Sequence, residues 1–184
     1  MVGGSQQRRF SVKAIHSVFP ASLTYYSPRT KSNLFDHQEI ENRPHDVYDE
    51  GVIIAKDGLV YPGVQKYVSN GAALYPNTFT QQEYIRRYFD EFLDRAENDE
   101  DVDTPHIFTI PKGTPIPNQL ILINEYLARF SLQPSYGMPL RDLNQRLNDF
   151  WDESATKETA EEWLDKHPFD SAMTDDGDQI WREK

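Results

Sequence analysis

Residues 57–77 restrict the fold most, because they hold four turn-forming dipeptides: Asp-Gly, Pro-Gly, Asn-Gly and Pro-Asn. Glycine adopts positive φ without strain and asparagine tolerates it, so each dipeptide indicates a tight turn. Three small residues, Gly71, Ala72 and Ala73, lie at one of these bends. They would leave space for a ligand to approach the main chain, whereas the simpler alternative is a pair of surface hairpins. The stretch therefore predicts short apolar segments separated by tight turns.

The composition excludes several classes of protein. The 184 residues suffice for one domain with a core and tails, and no run of eighteen apolar residues is present that would form a membrane-spanning helix. The chain has no cysteine, which excludes disulfides, thiolate catalysis and cysteine-based zinc sites. A net charge of −11 argues against nucleic-acid binding through a general basic field. Residues 1–35 nevertheless contain basic side chains and no acid.

The periodicity of apolar residues predicts strands and helices in mixed order. Short apolar or alternating segments predict strands near 19–26, 51–55, 59–61, 106–110, 119–123 and 129–134. Helical spacing predicts helices over 80–97, 139–152 and 154–166, the first with a capping box formed by Thr80 and Glu83. Because the order is not a strict alternation of strand and helix, we expect an α+β fold with a largely antiparallel or mixed sheet and flanking helices.

The chain divides into three segments by composition. Residues 1–18 predict a basic flexible leader, 19–152 a folded domain, and 153–184 an acidic helix and tail. The absence of cysteine fits a cytoplasmic protein. The arginines near the N-terminus leave mitochondrial targeting as the alternative.

Common catalytic motifs are absent from the sequence. It has neither a glycine-rich phosphate loop nor a His-Glu-x-x-His pattern, and its five histidines are widely scattered. We therefore predict no metal site.

Polar residues near strand ends form the candidate site. They are Tyr25 and Tyr26 on the first strand, Asn70 and Tyr75 at the bend, and Arg129, Ser131 and Gln133 on a late strand. Arginine suits a bidentate contact with phosphate or carboxylate, and tyrosine can stack on a flat heterocycle. In the alternative interpretation, the tyrosines belong half to the core and Arg129 is a charge at the sheet edge.

Several short motifs occur together in order. They are Asp-Gly-Leu-Val-Tyr-Pro at 57–62, Asn-Gly-Ala-Ala-Leu-Tyr-Pro-Asn at 70–77, Ile-Pro-Lys-Gly-Thr-Pro-Ile-Pro at 110–117, Phe-Ser-Leu-Gln-Pro at 130–134 and Met-Pro-Leu at 138–140, followed by Leu143 and Asn144. Over residues 19–152 this set resembles the type VI-secreted toxin family with an ADP-ribosyltransferase fold, specifically its fungal relatives. The resemblance implies a split sheet with an NAD-binding cleft, like that of the diphtheria-toxin branch.

The resemblance also implies an activity and partners. The expected reaction is transfer of ADP-ribose from NAD to an unknown macromolecular target, or simple NAD cleavage. An antitoxin-like partner is left open.

Three polar positions depart from the family pattern. Tyr25 stands where the family has arginine, Ala73 where it has a hydroxyl residue, and Arg129 where it has histidine. These three positions are the expected catalytic ones, and the expected NAD-binding residues are Tyr26, Asn70, Gly71, Ala72, Tyr75, Ser131 and Gln133. Two interpretations follow: a rewired site in which Arg129 contacts phosphate, or a catalytically degenerate relative that keeps the fold as an interaction module.

Overall fold

The computed structural model describes residues 14–38, 51–64, 70–126 and 128–168. Of the predicted leader, residues 1–13 lie outside these ranges, while Ala14–His16 form strand β1. Of the predicted acidic tail, residues 169–184 lie outside them. Within the described ranges, no helix is both long and apolar enough to cross a bilayer.

The helix predicted over 80–97 is confirmed as α1, Phe79–Glu97, but its predicted cap is wrong. The N-cap residue is Thr78, whose backbone is still extended. Its Oγ1 accepts a hydrogen bond from the Gln81 N–H at 3.3 Å. Thr80 and Glu83 therefore lie inside the first turns. The second predicted helix is confirmed as α2, Leu140–Ser154.

The single helix predicted over 154–166 is wrong in its first half. Thr156–Thr159 form strand β11, which pairs antiparallel with strand β7, His106–Ile110. Only Ala160–Lys166 are helical, as α3. The acid-rich sequence resembles an exposed helix locally, and pairing with a strand about fifty residues away in the chain overrides that preference.

Two antiparallel sheets form the body of the protein, so the predicted α+β class is confirmed. The first sheet has the strand order β1-β8-β9-β6, in which β6 is Ala72–Leu74, β8 is Leu120–Tyr126 and β9 is Arg129–Pro134. The second has the order β11-β7-β2, in which β2 is Leu23–Ser27. Strand β8 lies between β1 and β9, as its apolar sequence predicts.

Two short ladders lie beside the main sheets. Strand β5, Leu59–Val60, pairs antiparallel with β10, Met138–Pro139. Strand β3, Phe35–Asp36, pairs parallel with β4, Gly51–Val52. The ladders tie the turn-rich stretch and the segment after β2 to the rest of the fold.

The two main sheets meet at the residue pair Thr24 and Tyr75. The Thr24 N–H donates to the Tyr75 carbonyl at 2.7 Å, and the Tyr75 N–H donates back at 3.0 Å. This pair links β2 to the end of β6, so the two sheets share a continuous surface at that point.

Helices cover both sides of the second sheet. The larger core cluster contains Tyr25 from β2 together with Leu143, Leu147 and Trp151 from α2. On the opposite side, Tyr26 packs in a smaller cluster with Ile85 of α1 and Trp163 of α3. The alternation of side chains along β2 therefore directs its two tyrosines to different helices.

Candidate functional site

One side of the joined sheets carries polar side chains, while the other side forms the larger core. Phe130 and Leu132 of β9 belong to that core, and so the alternate residues Arg129, Ser131 and Gln133 point to the opposite side. Ala73 is the direct cross-strand partner of Ser131. We call this side the polar face and define it by Thr24, Ala73, Tyr75, Glu125, Arg129, Ser131 and Gln133.

Gln133 and Ser131 are fixed by hydrogen bonds within the protein. The Gln133 amide donates to Ser131 Oγ at 2.7 Å, and Gln133 Oε1 accepts from the Gly63 N–H at 2.7 Å. Both side chains are buried. The two buried side chains therefore fix the backbone of β9 beneath Ala73, which is partly exposed.

Glu125 is a member of the polar face that the sequence interpretation missed. Its carboxylate lies 2.9 Å from Arg129 Nε, and its side chain is only 2% exposed, against 28% for Arg129. The two residues flank the β8–β9 turn. A carboxylate at the end of an apolar strand, with an arginine four residues later, was the available signal. The arrangement combines a buried negative charge with a partly exposed guanidinium.

Tyr25, one of the three expected catalytic positions, does not lie on the polar face. Tyr25 is completely buried on the opposite side of the sheet, stacked on Trp151 with ring centroids 5.1 Å apart. Its hydroxyl donates to Ser32 Oγ at 3.3 Å. Tyr26 lies on the same side as the polar face but is buried under α1, with its ring against Tyr88. Burial of Tyr88 there raises the pKa of its phenol.

The bend at residues 70–72 is occupied by the protein's own backbone, contrary to the prediction of open space. Gly71 lies directly against β9, since an added Cβ would be 2.0 Å from the Leu132 carbonyl oxygen. Ala72 is fully buried in the larger core. The Asn70 side chain accepts from the Ile53 N–H at 2.9 Å and donates to the Tyr61 carbonyl at 3.0 Å, so it joins three segments. Ala73 and Tyr75 are the members of this stretch that reach the polar face.

The Asp-Gly turn predicted at 57–58 is confirmed. Gly58 has φ of 83°, and the N–H of Leu59 donates to the Asp57 carboxylate. The Tyr61 hydroxyl also donates to this carboxylate, at 2.7 Å. The bond from Tyr61, with that from Leu59, lowers the pKa of the Asp57 carboxyl. This carboxylate therefore stabilises the turn rather than the polar face.

The polar face brings several kinds of polar group together. In the ranges that the structure describes, no three acidic or histidine side chains lie close enough together to hold a metal ion. A carboxylate, a guanidinium and a hydroxyl on one sheet surface can stabilise a cationic sugar, contact phosphate and orient a polar ligand group.

The family model described as Tse2 ADP-ribosyltransferase toxin matches residues 21–163, which is more than half of the chain. The matched region runs from just before β2 into α3 and includes every residue of the polar face. A search of curated proteins gives no significant match. The resemblance to type VI-secreted ADP-ribosyltransferase toxins is thus confirmed, while the placement among fungal relatives and in the diphtheria-toxin branch stays a prediction. The chain belongs to the Tse2 ADP-ribosyltransferase toxin family.

Proposed function

We propose that this toxin transfers ADP-ribose from NAD to a macromolecular target and that the polar face is its active site. The observation that carries the proposal is the family match, which covers every strand of both sheets except β1. The structure supports it by joining these sheets at one pair, Thr24 and Tyr75, in the manner expected of a split-sheet NAD cleft.

The reaction requires stabilisation of positive charge on a sugar. The bond between the nicotinamide nitrogen and ribose C1′ breaks, and its electron pair leaves with nicotinamide. The oxocarbenium-like ribose is then attacked by a nucleophile of the target, which forms the new bond and releases a proton. When water attacks instead, the outcome is NAD cleavage. A fixed negative charge beside the ribose lowers this barrier, because the charge develops only in the transition state.

The residues of the polar face have different roles in this reaction. Glu125 supplies the negative charge, since its carboxylate is buried and held by Arg129. Arg129, whose side chain is partly exposed, contacts the pyrophosphate through its guanidinium. Ser131 and Gln133 hold β9 in place from within, and the partly exposed Tyr75 offers a ring for stacking.

A second candidate is a degenerate member of the family that acts as an interaction module. The observation that favours it is Ala73, because the hydroxyl that the family resemblance places there is missing opposite Ser131. In this case the acidic surface that includes α3 binds a basic or apolar partner, and NAD is not turned over.

Nicotinamide release from NAD tests the proposed activity. Glu125→Gln should lower the rate by about 100-fold or more, as expected when a preorganised charge is removed. Arg129→Ala should raise KM about tenfold through loss of a charged contact. Ala73→Ser and Arg129→His should raise the rate if the family's groups improve the site.

The control is the Arg87–Glu91 ion pair on α1, which is far more exposed and also has i, i+4 spacing. Arg87→Ala and Glu91→Gln should leave the rate unchanged. If wild-type protein that is folded by circular dichroism neither binds millimolar NAD nor releases nicotinamide, the proposal is wrong. Binding without release in the wild type and in both gain-of-function variants would favour the degenerate alternative.

A further inference from the structure

We propose that the protein has a second binding site, which takes a phosphate-bearing ligand of nucleotide size. This site is a cavity of about 730 Å³ between the loop after β2 and helix α2. Ligand sites are commonly clefts of roughly 300–1,000 Å³, so the volume suits a nucleotide. The inference does not depend on the function proposed for the polar face.

The charge of the cavity is opposite to that of the whole chain. Arg29, Lys31 and Arg141 line it together with one acid, Asp103, and Arg141 also lies 3.4 Å from the Asp142 carboxylate. Arg29 and Lys31 therefore carry most of the positive charge. The chain as a whole carries a net charge of −11. Arg29 and Lys31 come from the acid-free N-terminal region, whose basic character the polar face does not use. A local cationic cavity in an acidic protein attracts anionic ligands and repels cationic ones.

The wall that carries Arg29 and Lys31 is fixed in place by helix α2. Asn148 accepts from the Ser32 N–H at 2.8 Å, and Asn144 accepts from the Leu34 N–H at 2.8 Å. Both amides also donate back to the carbonyls of the same loop residues, at 3.2 and 2.9 Å. Two asparagines one helical turn apart thus hold the loop as a neighbouring strand would.

Two further bonds hold the basic part of the loop. Ser27 Oγ donates to the Lys31 carbonyl at 2.8 Å, and Lys157 Nζ donates to the Thr30 carbonyl at 2.7 Å. The backbone is therefore ordered by neighbouring side chains, while the side chains of Arg29 and Lys31 line the cavity. Such preorganisation lowers the entropy that binding costs.

The cavity and the polar face lie on opposite sides of the fold. Helix α2, which forms one wall of the cavity, packs on the larger core. Ser131 and Ala73 point away from that core. One NAD molecule therefore cannot occupy both, and the ligand of the cavity is a nucleotide separate from the NAD at the polar face.

Isothermal titration of the full chain with ADP, NAD and inorganic phosphate tests the proposal. ADP should bind with a Kd below about 1 mM, and the affinity should fall as salt screens the cationic side chains. The double variant Arg29→Ser with Lys31→Ser should weaken ADP binding about tenfold or more. The matched control is Arg146→Ser with Lys112→Ser, since both residues are exposed and neither lines the cavity.

The effects of the double variant on different ligands show whether the cavity is separate from the NAD site. Loss of nicotinamide release together with ADP binding in the double variant would mean that the cavity belongs to the NAD site, and it would overturn the proposal of a second site. Loss of ADP binding with unchanged NAD binding assigns it to a separate nucleotide. The proposal is wrong if ADP does not bind at millimolar concentration, if the double variant binds it as the control does, or if inorganic phosphate binds as tightly as ADP. ADP binding and nicotinamide release are measured separately, so failure of the cavity proposal is distinct from failure of the proposed activity.

Discussion

At residue 71 the chain has space for a hydrogen atom but not for a methyl group. A Cβ there would lie 2.0 Å from the carbonyl oxygen of Leu132 and 2.7 Å from its carbonyl carbon. Both atoms belong to the backbone of β9, which cannot move without disturbing its pairing with β6 and β8. Gly71 therefore sets the distance between strands that carry the polar face.

We predict that Gly71→Ala lowers the free energy of unfolding by more than about 2 kcal/mol, through steric overlap and displaced strands. Urea unfolding followed by circular dichroism measures the effect. Gly113→Ala is the control, because Gly113 has φ of 85° but nothing within 4 Å of an added Cβ. That change should cost only about 1 kcal/mol for backbone conformation. Equal losses in the two variants would contradict the steric explanation.

At the scale of the element, α3 begins with a capping box that the sequence interpretation placed inside a longer helix. Thr159 Oγ1 accepts from the Glu162 N–H at 3.2 Å, and Glu162 Oε2 accepts from the Thr159 N–H at 2.9 Å. The bond from the Thr159 N–H is the main reason that the pKa of the Glu162 carboxyl lies below its ordinary value of 4.5. The cap ends β11 and directs Trp163 into the smaller core.

This cap predicts a dependence of stability on acid. The ionised carboxylate is the better acceptor, so its contribution is complete above the ordinary pKa of 4.5 and is lost as pH falls through the lower folded pKa. Glu162→Gln keeps an oxygen acceptor but cannot titrate. Its free energy of unfolding should therefore fall less than that of the wild type between neutral pH and about pH 3. The control is Glu161→Gln, which removes a neighbouring charge outside the capping box, and an equally flattened profile there would contradict the prediction.

At the scale of the whole molecule, Thr24 connects both sheets to helix α1. Besides its backbone pairing with Tyr75, its hydroxyl donates to the Tyr75 carbonyl at 3.0 Å. The same oxygen accepts from the Gln81 amide at 3.1 Å, and Gln81 is fully buried. Because the hydroxyl hydrogen of Thr24 goes to Tyr75, its oxygen can only accept from Gln81. The Gln81 side chain must therefore turn its NH₂ group, and not its oxygen, toward Thr24.

We predict that Thr24→Val lowers the free energy of unfolding by about 1–3 kcal/mol, because a buried amide loses its acceptor while the side-chain volume is kept. Thr24→Ser retains the hydroxyl and should lose less. Hydrogen exchange should show faster opening of the first turns of α1 in the valine variant. Equal stability of the valine and serine variants would show that the hydroxyl does not connect the sheets to the helix.

The sequence predicted those elements correctly that are formed by interactions between residues close together in the chain. Helices α1 and α2 and strands β7, β8 and β9 were predictable, because their apolar spacing is a local property. Strand β11 was not, since its four residues become a strand only through pairing with β7. The cap of α1 was misplaced because Thr78 and Thr80 offer the same side chain, and only the backbone conformation of Thr78 distinguishes them.

The sequence by itself determined the family motifs and the alternation that puts Arg129, Ser131 and Gln133 on one side of a strand. It also determined the Asp-Gly turn, which needs no partner elsewhere in the chain. Only the tertiary structure decided that Glu125 lies beside Arg129 and that Tyr25 belongs to the core under α2. The physical reason is that side chains alternate along a strand with a period of two residues, and this alternation decides which residues share a side. Which side is buried depends on strands and helices that are distant in sequence.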